Sequence, residues 1–236
     1  MRAVITGASS GIGQAIAREL SKRGWELLLL ARRVDLIEKL PHSEAVQCDV
    51  TDAEAVKHAA SGAFDLAIAN AGVGIRNHAE GFNLTDAEQV IRVNVLGMMY
   101  LYDAVIPSMI ERRSGRFAGV ASLAGLRGLP SAAPYSASKA AMQAFLEASR
   151  VELAQFGVGV SIINPGFVTT PMTEKNRFRM PFLINAERAA RIIVDGLEHG
   201  KRVIEFPRPM SLLMRTMRLA PDALYDRMMR SAGRKR

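Results

Sequence analysis

An apolar run, Ala3-Val4-Ile5, leads directly into Thr6-Gly7-Ala8-Ser9-Ser10-Gly11-Ile12-Gly13. An amphipathic stretch with Ile16, Ala17 and Leu20 on one face follows and ends at Gly24. A buried strand, a glycine turn and a helix start, in that order, leave few folds open to the chain. Glycines let the backbone approach another group closely, and the free amides at a helix start attract anions. The combination predicts a pyrophosphate seat of the kind that opens a dinucleotide-binding βαβ unit. Gly7, Ser9, Ser10, Gly11, Ile12 and Gly13 are the residues expected to form it.

The alternation continues along the chain. Apolar runs predict strands near residues 2–6, 26–31, 44–48, 65–69, 115–121, 158–164 and 202–206. Helical patterns fall near residues 12–23, 52–61, 85–112, 135–155 and 186–198. Residues 27–30 are apolar without a break and residues 160–163 are apolar apart from Ser161, as expected of strands buried on both faces. Thr51-Asp52 and Asn185 stand where helix N-caps belong. This pattern predicts an α/β fold: a Rossmann-like, doubly wound sheet of about seven parallel strands with helices on both faces. Ligands of such sheets bind beyond the carboxyl ends of the strands. Thr6 onward, Ala31-Arg32-Arg33, Asp49-Val50, Asn70-Ala71-Gly72, Ser122 and Pro165-Gly166 all follow strand ends, so the candidate segments gather on one edge.

Tyr135 and Lys139 stand four residues apart in Tyr-Ser-Ala-Ser-Lys. On a helix that spacing puts both on one face. The ammonium then favours the phenolate, predicting a phenol pKa below its ordinary value of about 10 and a proton exchangeable near neutrality. Ser122 ends an apolar run thirteen residues before Tyr135, and Asn94 sits in Val93-Asn94-Val95-Leu96-Gly97 within a long helical pattern.

Together these segments resemble the short-chain dehydrogenase/reductase family. Residues 6–13 match its Thr-Gly-x-x-x-Gly-x-Gly motif, and Asn94, Ser122, Tyr135 and Lys139 match its Asn-Ser-Tyr-Lys tetrad. Asn70-Ala71-Gly72 matches its Asn-Ala-Gly segment, with Ala69 replacing the first of the usual two asparagines. Pro165-Gly166, followed by Val168 and Thr169-Thr170, matches its Pro-Gly segment. The resemblance covers about residues 2–205. It implies hydride transfer between a nicotinamide and a carbonyl or secondary alcohol. Tyr135 would give a proton to the carbonyl oxygen and Ser122 would hydrogen-bond it. Lys139 would lower the phenol pKa and hold the nicotinamide ribose, and Asn94 would hold a water linking Lys139 to solvent. Asp49, with Val50 after it, resembles the family's adenine contact, and Val168 and Thr170 join the expected cofactor contacts. A homodimer or homotetramer is expected. Two alternatives stay open: a reductase of acyl thioesters on an acidic carrier protein, and a non-catalytic NADP(H) sensor, against which the complete tetrad argues.

NAD sites usually place an acidic residue about 20 residues beyond the glycines. This chain reads Leu30-Ala31-Arg32-Arg33 there. An arginine at that place accepts a 2′-phosphate through charge-assisted bonds. NADP(H) is therefore favoured over NAD(H), with Arg32 the first contact and Arg33 the second.

A chain of 236 residues with 49% apolar content can bury one substantial core. No stretch is read as approaching the roughly 18 apolar residues that span a bilayer. The first strand is expected to start almost at Met1, so no signal peptide is expected. Cys48, the single cysteine, excludes an internal disulfide and suits a reducing compartment, so a cytoplasmic location is expected. His42, His58, His78 and His199 are scattered without metal-ligand spacing.

The net charge of +8 is concentrated at one end. Residues 207–236 hold eight basic and two acidic side chains, 8 − 2 = +6, which argues for a local cause rather than for nucleic-acid binding. Residues 1–206 are accordingly read as the Rossmann-fold catalytic domain and residues 207–236 as a basic, Met-rich helical extension. Met210, Leu213, Met214 and Met217 form one apolar helical stripe, interrupted at Pro221 and resumed through Leu224 and Met228. Core or subunit packing, peripheral attachment to an anionic membrane and docking of an acidic carrier are its three readings. Residues 167–183 carry Met172, Phe178, Met180, Pro181 and Phe182 beside Lys175, Arg177 and Arg179, a loop able to close over an apolar or an anionic substrate.

Overall fold

Strands that are apolar on both faces need a helical layer on each side, and the chain supplies two. The computed structural model describes residues 1–174, 176 and 179–233. Lys175, Arg177, Phe178, Arg234, Lys235 and Arg236, along with the side chains of residues 231–233, lie outside the described residues. The strands are β1 (Arg2–Thr6), β2 (Glu26–Ala31), β3 (Ser43–Gln47), β4 (Leu66–Ala69), β5 (Arg116–Val120), β6 (Gly159–Pro165) and β7 (Val203–Phe206). They form one seven-stranded sheet in the order β3-β2-β1-β4-β5-β6-β7, and every pairing is parallel.

The helices are α1 (Gly11–Lys22), α2 (Ala53–Ala59), α3 (Leu84–Ile91), α4 (Gly97–Glu111), α5 (Ala133–Leu153), α6 (Pro171–Glu174), α7 (Ala186–Glu198), α8 (Arg208–Leu219) and α9 (Asp222–Gly233). On one face Ile16 and Leu20 of α1 and Ile193 and Leu197 of α7 pack over Ile5, Leu29 and Ile68. On the other, Val56 of α2, Leu101 and Met109 of α4, and Met142 and Leu146 of α5 cover Leu28, Ala67 and Phe117. The expected N-caps are present: Ala55 N donates to Asp52 Oδ1 at 3.0 Å and Arg188 N to Asn185 Oδ1 at 2.8 Å.

The single helix expected over residues 85–112 is instead three pieces. A π-helical turn, Arg92–Leu96, joins α3 to α4 and carries Asn94. Such turns are seldom visible in hydrophobic periodicity, since the apolar face continues through them. The whole run Leu84–Glu111 is also, by length and composition, apolar enough to cross a bilayer, which corrects the reading that no stretch is. Val93, Met98, Leu101, Val105 and Met109 are buried against the sheet, which accounts for that composition.

The C-terminal residues pack on the core. Ser211 and Met214 of α8 are buried, while Leu212 and Leu213 are exposed. The stripe read from the sequence therefore does not face one way. The Tyr225 hydroxyl of α9 donates to the Gly128 carbonyl. Arg127 lies over the Tyr225 ring, 4.4 Å from its centroid, and pairs with Asp222 at 2.6 Å.

The strand order reverses between β1 and β4, and one side chain ties the two strand ends together. Thr6 Oγ1 accepts from Asn70 N at 3.0 Å and from Ala71 N at 3.1 Å. Asn70 Nδ2 returns bonds to Thr6 O at 2.9 Å and Gly7 O at 3.1 Å. Replacing Thr6 by valine keeps the shape and strands two amide donors. Thr6→Val is expected to lower unfolding free energy by about 2 kcal/mol, read as a lower urea midpoint at unchanged slope.

Candidate active site

The β1–α1 turn is shaped by how near it runs to β4. Gly7 has φ +66°, and a Cβ there would lie 2.8 Å from Ala71 Cα. A Cβ on Gly13 would lie 2.3 Å from Asn70 Nδ2 and 2.4 Å from the Gly7 carbonyl oxygen. Only hydrogen fits at either place. Ser10 caps α1 through its backbone with no side-chain bond, so the first amides of α1 keep their free donors at the cleft.

One cleft runs along the carboxyl edge of the sheet. It is lined by Gly7, Ser9, Ser10, Gly11 and Ile12 from the first turn, by Arg32 and Arg33 after β2, and by Asp49 and Val50 after β3. Asn70, Ala71 and Gly72 follow from β4, then Ser122, Tyr135 and Lys139, then Pro165, Gly166, Val168 and Thr170. Two of the expected residues do not line it. Gly13 lies beneath the turn, and Asn94 is wholly buried. Sequence reading missed Cys48, Val73, Val93, Val120 and Ala121, whereas Ala31 was named in the segment after β2, and Pro171, Met172 and Thr173 fall in the loop read as able to close over a substrate. Val120 is the last residue of its strand and Ala121 follows it, and that position was the available signal. Cys48 is buried, as a small hydrophobe would be, yet borders the cleft.

At one end of the cleft Arg32 and Arg33 are exposed, and neither forms a salt bridge among the described residues. Nearby, Asp49 Oδ1 accepts from Thr51 N at 2.9 Å and Thr51 Oγ1 at 2.8 Å, which fixes the carboxylate in a local turn.

At the other end Ser122 Oγ accepts from Ala124 N at 3.1 Å. Lys139 is buried, its ammonium donates to the Val120 carbonyl at 2.7 Å, and it stands 5.8 Å from the Tyr135 ring centroid. Burial brings the Lys139 pKa down to about 7. Burial also pushes the Tyr135 phenol up, and the Ser122 hydroxyl pulls it partly back. This corrects the expectation of an acidified phenol. Helical spacing brings the two groups to one face, but the low-dielectric surroundings penalise phenolate and ammonium alike, and the ammonium is engaged by a carbonyl.

Asn94 acts as a clamp. Its Oδ1 accepts from Val73 N at 2.8 Å, and its Nδ2 donates to Val73 O and to Ser138 Oγ, each at 3.0 Å. Ser138 in turn donates to the Tyr135 carbonyl at 2.7 Å. A methyl group on Gly72 would lie 3.2 Å from Asn94 Oδ1 and 3.5 Å from Lys139 Nζ, so both groups border the same glycine. Gly74 likewise borders both Met172 Sδ and the Tyr135 ring, which places α6 beside the phenol.

A family model described as short chain dehydrogenase matches residues 1–180. An uncharacterized oxidoreductase from Myxococcus xanthus is 37% identical over 238 residues, covering 95% of this chain and 94% of that protein. A short chain dehydrogenase from Burkholderia cenocepacia, solved in complex with NADP, superposes with a TM-score of 0.87 at 27% identity, covering 97% of each chain. A short chain dehydrogenase/reductase from Burkholderia phymatum, solved with NAD, gives 0.80 at 25% identity over 91% of each chain. The chain belongs to the short-chain dehydrogenase family and is an oxidoreductase.

The Lys139 shift has a thermodynamic consequence. With a folded pKa near 7 against an ordinary value of about 10.4, the unfolded chain binds more protons between these limits, so this group makes stability rise with pH across that window. Removing the amine removes that slope. The melting temperature of Lys139→Met minus that of the parent is expected to be more positive at pH 7 than at pH 9.5, measured by calorimetry; an identical difference at both values contradicts the buried, easily neutralised amine.

Proposed function

We propose that the protein is an NADP(H)-dependent oxidoreductase that moves a hydride between the nicotinamide and a carbonyl or secondary alcohol, with Tyr135 as the acid/base. The observation that carries this reading is the cleft itself. A glycine turn at a helix start, two exposed arginines and the Ser122–Tyr135–Lys139 group open onto one continuous space. The solved relatives bound to NADP and NAD support a nicotinamide dinucleotide.

The residues present fit such a group. Gly7 and Gly11 leave bare backbone at the cleft for a pyrophosphate to approach, and the α1 amides are donors for it. Arg32, with Arg33 beside it, offers planar donors for a ribose 2′-phosphate, and Asp49 and Val50 border the adenine end. Asn70, Ala71, Gly72, Pro165, Gly166, Val168 and Thr170 form the walls between the two ends. When bound, the dinucleotide supplies or accepts the hydride.

The chain's own part is proton transfer and orientation. Ser122 Oγ donates to the substrate oxygen and fixes it beside Tyr135. Tyr135 passes its phenolic proton to that oxygen in the reductive direction and recovers it in reverse. Lys139 holds a ribose hydroxyl and, when charged, lowers the cost of the phenolate. Asn94 holds Val73 and the first turn of α5 in place, so that Tyr135 and Lys139 keep their relation to Gly72. Met172 of α6 and the Tyr135 ring border the same glycine, Gly74, so α6 flanks the phenol. The substrate is a small-molecule carbonyl or alcohol, and the family likeness supports a homodimer or homotetramer.

A panel of ketones, quinones and alcohols, assayed with both nicotinamide cofactors at the reduced-cofactor absorbance band, identifies the substrate class. Tyr135→Phe is expected to cut turnover by about 10²–10⁴-fold while NADPH binding persists; parental turnover in that variant removes Tyr135 from the chemistry. Charge-assisted bonds contribute about 1.5–3 kcal/mol, so Arg32→Glu is expected to weaken NADPH binding by about ten- to a hundredfold and to leave NADH binding within a few-fold. Equal loss for both cofactors contradicts the 2′-phosphate role.

A further inference from the structure

Beneath Ser122, four side chains outside the cleft form one run of hydrogen bonds. Gln143 of α5 donates from Nε2 to the Ser122 carbonyl at 2.8 Å and to Asn164 Oδ1 at 3.1 Å. Asn164, near the end of β6, donates from Nδ2 to Glu205 Oε1 at 3.1 Å. Arg215 of α8 donates from Nε to Glu205 Oε2 at 2.9 Å. Asn164 is 3% exposed, and the Glu205 side chain is 11% exposed against 62% for Arg215. None of the four lines the cleft.

Buried amides and carboxylates are costly unless every partner is supplied, and here the partners lead to one place. A carboxylate only accepts and a guanidinium only donates, whereas an amide can turn either way. Glu205 therefore decides the orientation of Asn164, which must point its NH₂ at Glu205 and its oxygen at Gln143. Gln143 must then present its NH₂ to both Asn164 and the Ser122 carbonyl. The turn after Ser122 sits directly on this amide, since a Cβ on Gly125 would lie 2.6 Å from Gln143 Nε2 and 2.8 Å from Ala140 N.

We propose that Glu205, acting through Asn164 and Gln143, is a positioning residue for Ser122. The inference rests on the proposed role of Ser122. Arg215 is largely exposed, so the ion pair adds little and the buried Glu205–Asn164 bond carries the effect.

The test compares Glu205→Met, Glu205→Gln and Gln143→Met in the full-length protein, with NADPH and the best ketone or quinone of the panel. Glu205→Met is expected to lower kcat about tenfold at an unchanged KM for NADPH. Glu205→Gln keeps an acceptor oxygen and is expected to restore most of that loss. Amide hydrogen exchange at residues 123–125 is expected to quicken in Glu205→Met and Gln143→Met and not in Glu205→Gln. Because the members act in series, the Glu205→Met/Gln143→Met double variant is expected to fall no further than the worse single one. Parental kcat and exchange in Glu205→Met, or equal impairment by methionine and glutamine, overturns the proposal. If Glu205→Met does not fold, Gln143→Met decides alone by the same two readouts. A parent inactive on every carbonyl defeats the functional reading and leaves the exchange arm to decide this one; an active parent with unaffected variants defeats only this inference.

Discussion

The Thr6 hydroxyl, held between the amides of Asn70 and Ala71, sets the geometry on which the cleft depends. It draws the end of β1 against the end of β4 at the point where the strand order reverses, and so opens the crevice there. That closeness dictates the glycines. With Asn70 bonded to both Thr6 and Gly7 carbonyls, no side chain fits at Gly7 or Gly13. A polar tie between two strands thus becomes a turn whose bare backbone and free helix amides face the cleft.

From that turn the cleft separates two kinds of chemistry. The end bordered by Arg32 and Arg33 is exposed and positive, suited to catching a charged group from water. The end bordered by Ser122 and Lys139 is buried, where charge is expensive and each bond correspondingly strong. Lys139 shows the tension most plainly. Its amine sits where burial brings its pKa to about 7, a cost to the fold of the kind that functional sites carry. Asn94 and Gln143 support this end from beneath, one through Val73 and Ser138, the other through the Ser122 carbonyl.

Much of this was legible in the sequence, for reasons that differ by element. The strands showed because both faces are buried, leaving unbroken apolar runs such as that of β2. β3, at the sheet edge with a mostly exposed pattern, showed only as the short apolar run near residues 44–48. The residues of the cleft could be placed because strand carboxyl ends carry them, and Arg32 and Arg33 follow that rule. Direction of charge was another matter. Four-residue spacing fixed a shared face for Tyr135 and Lys139 but carried no information about burial, which reversed the expected phenol shift. The π turn at Asn94 was hidden because its apolar face runs on unchanged. Nor could the Gln143–Asn164–Glu205 relay be read, since its members come from three elements that meet only in the folded chain. In α8 the sequence suggested Leu213 as part of one apolar stripe with Met214, whereas Ser211 is buried beside Met214 and Leu213 is exposed.

A crystal structure of the protein with NADP⁺ bound tests the central claim most directly. The account predicts the pyrophosphate over the Gly11–Gly13 backbone, the 2′-phosphate within bonding distance of Arg32, and the nicotinamide beside Tyr135 and Ser122. A dinucleotide bound in the reverse sense, with its adenine at Tyr135, or bound elsewhere on the molecule, would contradict it.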